Sequence, residues 1–538
     1  MAHAITNRCD QCDTCVPLCP QGAIKIIGSE YWIDPTLCND CEDYADEPIC
    51  AISCPVNSPV PWQAKKGRLK VDGRPLSNTP LFVNGKNHPF ASAIVSWELC
   101  NVLAQRQTLP WQTDENGILY YGRAITQNRG SISFRIAETL EGQSSAPLSA
   151  PQAGDRIAAL DIRAACLHLL YSAYATTLEQ PWQESFEIDD RQIELYLGLD
   201  KRKDLSKIAK LSLIKELVEQ PCSLMATIDW PQQGKIRAFH LENIRLWHLQ
   251  STEHHFQADE LGYKHLVGMT FRIQAGLWTQ YFLNRKDCKD RTAFYQYSSL
   301  PHSLLTAVMG LWQQHEGAVR MMLWLLFKTK VGKEQRITVP TLMRVAYGTS
   351  KVERATTGRE ERKRLLRTFE SDLEVLNHHG LRPVFDPVTY PEDIQPLWAK
   401  LADLPDDAEE ALEFWTNDGT LSNRLTDSGP RGKWNRLMNA RLIGFEVPPD
   451  WEQNLRKPER KPERKRSNKS RSSTSPPLAR TLLEGKHITA ARQTLGWSQR
   501  DLALKTGKSQ SWIRDIENGR FSAKPKDQTL LKQILGIG

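Results

Sequence analysis

The sequence predicts a multidomain protein that is mainly α-helical with α+β parts. Its 538 residues suffice for roughly three or four domains of ordinary size. Eight of the twelve cysteines lie within the first 54 residues, which marks a small head built differently from the rest. Residues 456–471 contain no aliphatic or aromatic side chain, and short helical patterns separated by glycines follow them. We therefore expect a cysteine-rich head, a mixed helical middle and an all-α helix-turn-helix tail.

The cysteines of the head form two runs that each end in Cys-Pro. The runs are Cys9-x2-Cys12-x2-Cys15-x3-Cys19-Pro20 and Cys38-x2-Cys41-x8-Cys50-x3-Cys54-Pro55. Iron is soft enough to prefer thiolates, and Cys-x2-Cys spacing lets one tight turn direct two sulfurs at one iron–sulfur cube. Zinc also uses such pairs, but rarely as two runs of four with proline after the last cysteine. Disulfides fit poorly, because we expect no signal peptide at the start of the chain.

This head resembles the bacterial-type two-cluster ferredoxins, in whose pattern the fourth cysteine of a run ligates the other cluster. The resemblance implies a domain at residues 1–60 that holds two [4Fe–4S] clusters with crossed ligands. The first cluster would take Cys9, Cys12, Cys15 and Cys54. The second cluster would take Cys38, Cys41, Cys50 and Cys19. The long gap within the second run is similar to the lengthened loop of one ferredoxin subgroup.

The middle of the chain gives weaker signals. We treat residues 61–180 as an unassigned α+β region and residues 181–450 as a helical region. In the second region, helices expected at 191–197 and 205–218 precede two strands that flank the turn at 231–234. This order of helix, helix and hairpin is that of a winged helix.

A looser copy of this order follows in the same region. Helices expected at 339–347 and 360–377 precede a strand within residues 382–390, and basic side chains crowd the start of the second helix. Paired winged helices give a loose similarity of element order to plasmid replication initiators. A helical dimerisation or signal-relay core, with the basic helix as a solvated face, is the alternative.

No motif in the middle indicates an enzyme. The sequence lacks a P-loop, a dinucleotide-binding loop, a His-Glu-x-x-His motif and a nucleophile elbow. The pairs His254-His255 and His378-His379 are adjacent, so on a helix their side chains would diverge. We expect no catalytic residues and no enzymatic activity. We also expect a cytoplasmic protein without a membrane partner, because no stretch approaches about 18 apolar residues.

The end of the chain reads as a linker followed by a small helical domain. The charged run cannot bury enough surface to offset its ordering entropy, so residues 451–477 are expected to form a basic disordered linker. Within residues 478–538, helices are expected at 488–495, 499–505 and 510–517, with Ser498 and Ser509 as N-caps. Short glycine-bearing turns between such helices are typical of a helix-turn-helix. The expected shared core is Leu495, Leu502, Ala503, Ile513 and Ile516.

The stretch ARQTLGWSQRDLALKTGKSQSWIRDIENGR resembles the phage-repressor, or XRE, class of helix-turn-helix domains. The resemblance implies that Gln499 holds a phosphate and that four side chains face base edges, namely Gln510, Ser511, Trp512 and Asp515. Gln510 is the first choice for direct readout, since glutamine can bridge adenine N6 and N7. Three further residues complete the expected DNA-binding set, namely Lys508, Ser509 and Arg520. Arg492 and Glu517 match an internal ion pair of the class and are read as structural.

The two ends of the chain carry opposite net charges. Residues 1–60 hold two Lys or Arg against nine Asp or Glu, whereas residues 456–538 hold twenty against seven. The head would therefore repel nucleic acid and the tail would attract it. One helix-turn-helix reads only a few base pairs, so we expect a homodimer on double-stranded promoter DNA. RNA polymerase or a redox protein is a further expected partner.

A two-cluster head, a long middle and an XRE-like tail together resemble the CnfR (PatB) regulators of cyanobacterial nitrogen fixation. The resemblance implies a nucleoid-associated transcriptional activator of nitrogenase genes that works at low oxygen, with its iron–sulfur clusters as the sensor. Two alternatives stay open. One is a ferredoxin-type electron-transfer protein that its DNA-binding tail localises, and the other is a DNA-binding protein similar to plasmid replication initiators.

Overall fold

The computed structural model describes residues 3–27, 30–34, 37–42, 44–61, 77, 79–125, 129–138, 146–258, 264–329, 336–401, 412, 416, 430, 432–451, 485–518, 520, 523 and 525–536. The chain divides into two compact units, residues 1–457 and 458–538.

The head opens the first unit with two small antiparallel sheets. Strand β1 (His3–Ile5) pairs with β4 (Pro59–Pro61), so the two ends of the head lie side by side. Strand β2 (Ile24–Ile27) pairs with β3 (Glu30–Ile33), and the single turn α1 (Ile49–Ile52) precedes β4. Side chains alternate along a strand. Tyr31 and Ile33 therefore enter the small core of the head, and Trp32 points to the opposite face.

The rest of the first unit is a larger mixed body. Its helices are α2 (Ile94–Gln105), α3 (Ala150–Ala159), α4 (Ala164–Ala175), α5 (Asp190–Leu197), α6 (Lys207–Cys222), α7 (Trp278–Phe282), α8 (Arg285–Lys289), α9 (His302–Leu311), α10 (Glu316–Lys328), α11 (Val339–Tyr347), α12 (Thr349–Thr357), α13 (Arg359–His378), α14 (Leu397–Lys400) and α15 (Lys433–Asn439). Its strands are β5 (Asn87–Ala91), β6 (Gln112–Thr113), β7 (Leu119–Ile125), β8 (Gly130–Ile136), β9 (Ser185–Asp189), β10 (Leu224–Trp230), β11 (Phe239–Arg245), β12 (Trp247–Ala258), β13 (Lys264–Ala275), β14 (Tyr297–Pro301), β15 (Ile337–Thr338), β16 (Arg382–Phe385) and β17 (Arg441–Glu446).

Local capping signals set several helix ends of this body. The Asp189 side chain accepts from the Gln192 backbone while the Gln192 side chain caps in return, which starts α5. Gly198 ends α5 with a φ of 68°, a left-handed conformation that costs glycine little. Ser206 caps α6 and Thr338 caps α11. Helices α5, α6 and α11 therefore lie within a few residues of the ranges predicted for them.

Two three-stranded antiparallel sheets share one topology. Their strand orders are β9-β13-β12 and β15-β17-β16, so in each sheet the last strand lies between the first and the second. Helices α5 and α6 follow β9, and helices α11 to α13 follow β15. A helix also precedes each first strand, α4 in one case and α10 in the other. The order of helix, strand, helices and two antiparallel strands thus occurs twice, although β10 and β11 precede the last two strands of the first copy and α14 and α15 separate those of the second.

The predicted first hairpin forms, but it belongs to another sheet. Strands β10 and β11 pair as expected, yet β10 also pairs with β8 in a five-stranded sheet of order β11-β10-β8-β7-β6. Expecting this hairpin to be the wing beside α5 and α6 was wrong. One face of β10 is buried from Leu224 to Trp230, whereas Asp229 on the other face is exposed, and the strand uses both of its edges for pairing, one with β11 and one with β8.

The expected division at residue 180 does not separate the sheets. Strand β8 pairs with β10 across it, and β5 pairs with β14 in a two-stranded sheet. One apolar core joins residues from Leu81 to Trp451. Helix α4 is buried along its whole length, and α10 is buried from Gly317 to Phe327. Among the described helices, none is both long and apolar enough for a bilayer.

The second unit is a small helical domain. Its helices are α16 (Gly485–Thr494), α17 (Gln499–Thr506), α18 (Gln510–Glu517) and α19 (Pro525–Leu535). Helix α18 has the predicted bounds, whereas α19 was not predicted. Leu495 is 44% exposed and does not join the core, because α16 ends before it and Gly496 turns the chain with a φ of 68°. Ile488 and two leucines of α19 pack in the core instead. The predicted linker, apart from the buried Trp451, lies outside the described residues.

Candidate iron–sulfur and DNA-binding sites

Four cysteines of the head line one cavity. Cys9, Cys12 and Cys15 lie in the loop after β1, and Cys54 lies between α1 and β4. Burial, with smaller contributions from the nearby Cys54, Cys9 and Cys12, raises the pKa of the Cys15 thiol to about 11. The structure thus brings together the four residues that the sequence assigns to the first cluster.

The second set of four gathers around Cys50, which α1 carries. Burial raises the pKa of the Cys50 thiol to about 12, with contributions from Cys38, Cys41 and Cys19. Cys15 also contributes, so the two sets are neighbours. Cys15 and Cys50 both belong to the apolar core of the head. Deprotonated sulfurs in such a place need positive charge to balance them.

The two Cys-Pro turns have the same geometry. The Ala23 backbone N–H donates to Cys19 Sγ over 3.3 Å, and the Ser58 N–H donates to Cys54 Sγ over 3.3 Å. The residue before each donor is left-handed, Gly22 with a φ of 56° and Asn57 with a φ of 49°. Glycine and asparagine are the residues that adopt this conformation most readily. Hydrogen bonds to the sulfurs of an iron–sulfur cluster tune its reduction potential. Because both turns donate one N–H to a cysteine sulfur, each expected cluster would receive the same kind of hydrogen bond.

The loops around the other cysteines are held by acidic side chains. His3 Nδ1 lies 2.7 Å from Asp40 Oδ1, which ties β1 to the loop between Cys38 and Cys41. The Tyr31 hydroxyl donates to Asp13, and this hydrogen bond raises the pKa of Tyr31 to about 12. Gln11 and Asp40 precede matching cysteines and are both left-handed, with φ of 62° and 59°. The two runs therefore fold into related loops.

The donor set fits the thiolate ligands that an iron–sulfur cluster needs. In the described part of the chain, no three His, Cys, Asp or Glu side chains converge as the ligands of one metal ion would. A cube of four irons instead needs thiolates placed around a volume. Sulfurs that line a cavity, receive N–H donors and sit in an apolar core fit that requirement.

The back of the head packs against the middle, a contact that the sequence did not predict. The Trp32 ring lies 5.9 Å from the His254 ring and 5.8 Å from the Phe256 ring, centroid to centroid. Both partners belong to β12, and Trp32 is only 9% exposed. The adjacent Tyr31 and Ile33 face the cysteines. One short strand thus joins the cluster side of the head to the long β12–β13 hairpin.

The helix-turn-helix of the second unit is held by capped helices and one ion pair. Ser498 caps α17 in a reciprocal arrangement with Asp501, and Ser509 caps α18 by accepting from the Trp512 N–H. Arg492 Nε lies 2.6 Å from Glu517 Oε1, and Arg492 Nη1 donates to the Trp497 carbonyl over 2.7 Å. The hydrogen bond with Glu517 raises the pKa of Arg492. The pair thus joins α16 to α18.

Gln510 and Ser511 lie exposed at the start of α18. Trp512 and Asp515 are half-buried on the same helix, and Asp515 Oδ1 accepts from Arg520 over 3.1 Å. Solvent can thus reach the start of the predicted reading helix.

Two residues of the predicted DNA-binding set make internal bonds. The Gln499 side-chain amide donates to Glu517 over 2.7 Å. Lys508 pairs with Asp527 over 2.8 Å and lies above the Trp512 ring. Their contacts with DNA stay predictions, and Lys508 also joins α18 to the unpredicted α19.

Comparison with known proteins matches both ends of the chain. The helix-turn-helix family model HTH_3 matches residues 488–534. Ferredoxin-2 of Chlorobaculum tepidum is 49% identical over 57 residues, which are 11% of this chain and 92% of that protein. A ferredoxin-like protein in the nif region of Bradyrhizobium diazoefficiens is 41% identical over 54 residues, 10% of this chain and 73% of that protein.

Among solved structures, the RctB domains 2-3 cover 53% of this chain and 87% of that one at 12% identity. Its TM-score of 0.27 does not establish a common fold. Through its N-terminal segment the chain belongs to the ferredoxin family, and it joins that segment to a C-terminal helix-turn-helix domain of the kind that binds DNA.

Proposed function

We propose that this chain is a DNA-binding transcription regulator whose activity depends on the iron–sulfur state of its head. The observation that carries the proposal is the presence of two sets of four neighbouring cysteines and a helix-turn-helix on one polypeptide. An electron carrier alone would not need a DNA reader, and a simple repressor would not need eight grouped thiols.

The crossed cysteine sets would hold the two clusters. Bound clusters would supply a redox-active group that oxygen can destroy. The protein's own part is to keep eight thiols together, to donate N–H groups to Cys19 and Cys54, and to bury Cys15 and Cys50. Because thiolate ligation contributes folding free energy to small metal-binding domains, the head is expected to loosen when the ligation is lost.

The contact of Trp32 with β12 offers a route from the head into the rest of the first unit. Strand β12 pairs with β13, and the Met269 N–H of β13 donates to Asp190 Oδ1 at the start of α5 over 3.0 Å. We take β9, β12 and β13 with α4, α5 and α6 to be one winged helix, and the second sheet with its helices to be another. Their shared topology supports this assignment.

We further propose that the regulated genes are nitrogenase genes and that the protein activates them at low oxygen, as a homodimer on promoter DNA. The resemblance to the CnfR (PatB) regulators supports this. The nif-region location in the name of a relative that matches the head also supports it. Reversing such a switch from 1:99 to 99:1 needs about 5.5 kcal/mol, which a small domain that unfolds without its cluster could supply.

The proposal is tested by replacing one expected ligand, Cys15→Ser. Bound DNA is first recovered from the wild type without oxygen and sequenced, and affinity for a recovered promoter is then measured with both proteins. We expect binding and transcription to fall by at least tenfold in Cys15→Ser, because the first cluster loses a buried ligand. Cys288→Ser is the matched control, since this half-buried thiol lies outside the head.

Equal promoter affinity and equal transcription for wild type and Cys15→Ser would overturn the proposal. That outcome would favour the second candidate, an electron-transfer protein that its tail localises. The likeness to Ferredoxin-2 supports this candidate. In that case Cys15→Ser would abolish electron transfer to a redox partner and leave DNA binding intact.

A further inference from the structure

We propose that the groove between α13 and α15 is a second DNA-binding surface, which takes the phosphates of duplex DNA. This inference rests on the proposed function, because it assumes that the protein works on DNA. The surface lies in the first unit and uses none of the helix-turn-helix residues.

The groove runs along the first half of α13 and has a volume of about 480 Å³. Arg359, Lys363 and Arg367 line it at intervals of four residues, so they follow one face of the helix. Lys433 and Trp434 at the start of α15 form the opposite wall. Basic side chains therefore dominate the lining of an open groove.

Among the described residues, the carboxylates near this groove balance only part of its positive charge. Its carboxylate, Glu370, lies 2.6 Å from Lys433, a pair that neutralises only the buried end. Lys363 pairs with the exposed Glu360 over 3.1 Å, and such surface pairs hold their partners weakly. Across the described parts of the chain, no carboxylate lies within ion-pair distance of the exposed Arg359 or Arg367.

One basic residue of the groove has a structural task instead. Arg362 donates to the carbonyls of Ala355 and Thr356 at the end of α12, over 3.1 Å and 2.7 Å. It also lies 5.7 Å from the centre of the Trp434 ring. Arg362 thus joins α12, α13 and α15, and it stabilises the part of α13 that carries Arg359, Lys363 and Arg367.

The dimensions suit duplex DNA better than a single small anion. From Arg359 to Arg367 the helix rises about 12 Å, which is about the width of the major groove. Successive phosphates of one strand advance about 3.4 Å along the DNA axis, so this stripe can reach several of them. Guanidinium groups bind phosphate through paired N–H donors. A buried anion site would instead enclose its ligand, and this groove is open.

The test measures the DNA affinity of full-length proteins, purified without oxygen, at a series of salt concentrations. The DNA is a duplex that contains none of the promoter sites recovered with the wild type. The groove variant is Arg359→Gln, Lys363→Gln and Arg367→Gln together. Removing three phosphate contacts should weaken binding to every duplex. It should also make binding less dependent on salt, with the magnitude of the negative slope of log affinity against log salt reduced by about 3. The matched control is Arg285→Gln, Lys286→Gln and Lys289→Gln, which removes three exposed cations of α8 and should leave the slope nearly unchanged.

Further variants keep the result decisive. Arg359→Lys with Arg367→Lys retains the charge and should retain the slope. If the triple variant fails to fold, Lys363→Gln alone should lower the slope by about 1. Equal slopes for the groove variant and the wild type would overturn the inference, and so would equal losses in the groove and control variants. A loss of polyglutamate binding with unchanged DNA binding would overturn it too, in favour of an acidic protein partner.

The outcome also separates this inference from the proposed function. Gln510→Ala with Ser511→Ala should relax the preference for recovered promoters and keep the salt slope. If that variant loses its preference while the groove variant behaves as wild type, only the groove inference fails. If the wild type binds no duplex at all, the proposed function fails with it.

Discussion

At the scale of single residues, the most consequential pair of the second unit is Arg492 and Glu517. Both are largely buried, with side-chain exposures of 11% and 3%. Glu517 also accepts from Gln499, so α16, α17 and α18 meet at one carboxylate. The sequence suggested the pair through its resemblance to the XRE class. It did not show that Gln499 shares the same acceptor, because a side-chain amide on a helix start can equally face outward.

We expect Arg492→Ala to destabilise the helix-turn-helix by about 3–5 kcal/mol, because it leaves the Glu517 charge buried without its partner. Hydrogen exchange of the amides in α16 to α18 measures this, as faster exchange in the variant. Arg514→Ala serves as the control, since Arg514 is 55% exposed and its pair with Asp515 should contribute about 0–1 kcal/mol. Unchanged protection of these helices in Arg492→Ala would contradict the expectation.

At the scale of elements, the helices were predicted better than the sheets. Caps such as Asp189, Ser206 and Ser509 act on their own backbone within three residues, so their effect is visible in the sequence. Sheet membership depends on which distant strand supplies the partner. Strand β10 shows this, because its hairpin partner was predicted and its second partner, β8, was not.

The contact between β3 and β12 yields a prediction at this scale. Trp32→Ala should remove the ring contacts with His254 and Phe256 at a cost of about 3–5 kcal/mol, the usual range for a buried tryptophan. Amide protection along β12 should fall, and promoter binding should become less sensitive to the state of the head. Ile26→Ala, at a residue of β2 that is 47% exposed, is the control. Equal protection of β12 in the wild type and Trp32→Ala would refute the contact's role.

At the scale of the whole molecule, the head, the large body and the second unit each have a separate apolar core, and these cores differ in size. The large body has one apolar core, and the second unit has its own core with α19. The head has only a few apolar residues around two buried cysteines, which is little for independent stability. The head should therefore depend on its ligands more than any other described part of the chain.

Oxidation of the purified protein followed by an iron chelator should thus unfold the head selectively. We expect amide exchange in residues 3–61 to rise by at least tenfold, because the folding free energy from thiolate ligation is lost. Exchange in α16 to α19 should stay as it was, since their core contains no cysteine. Chelator without oxidant is the control. Unaltered exchange in the head after complete iron loss would contradict this expectation.

The sequence alone predicted which atoms could hold the clusters, where seven of the described helices lie and which helix should carry the DNA contacts of the tail. These features depend on residue identity and on spacings of a few residues, where hydrogen bonds and turns are local. The tertiary structure alone decided that Trp32 meets β12, that β10 joins β8 and that α15 completes the basic groove. Such contacts join segments that lie tens to hundreds of residues apart in the sequence. Many other segments of the chain could pair or pack equally well with each of them, so the actual partner is known only from the folded structure.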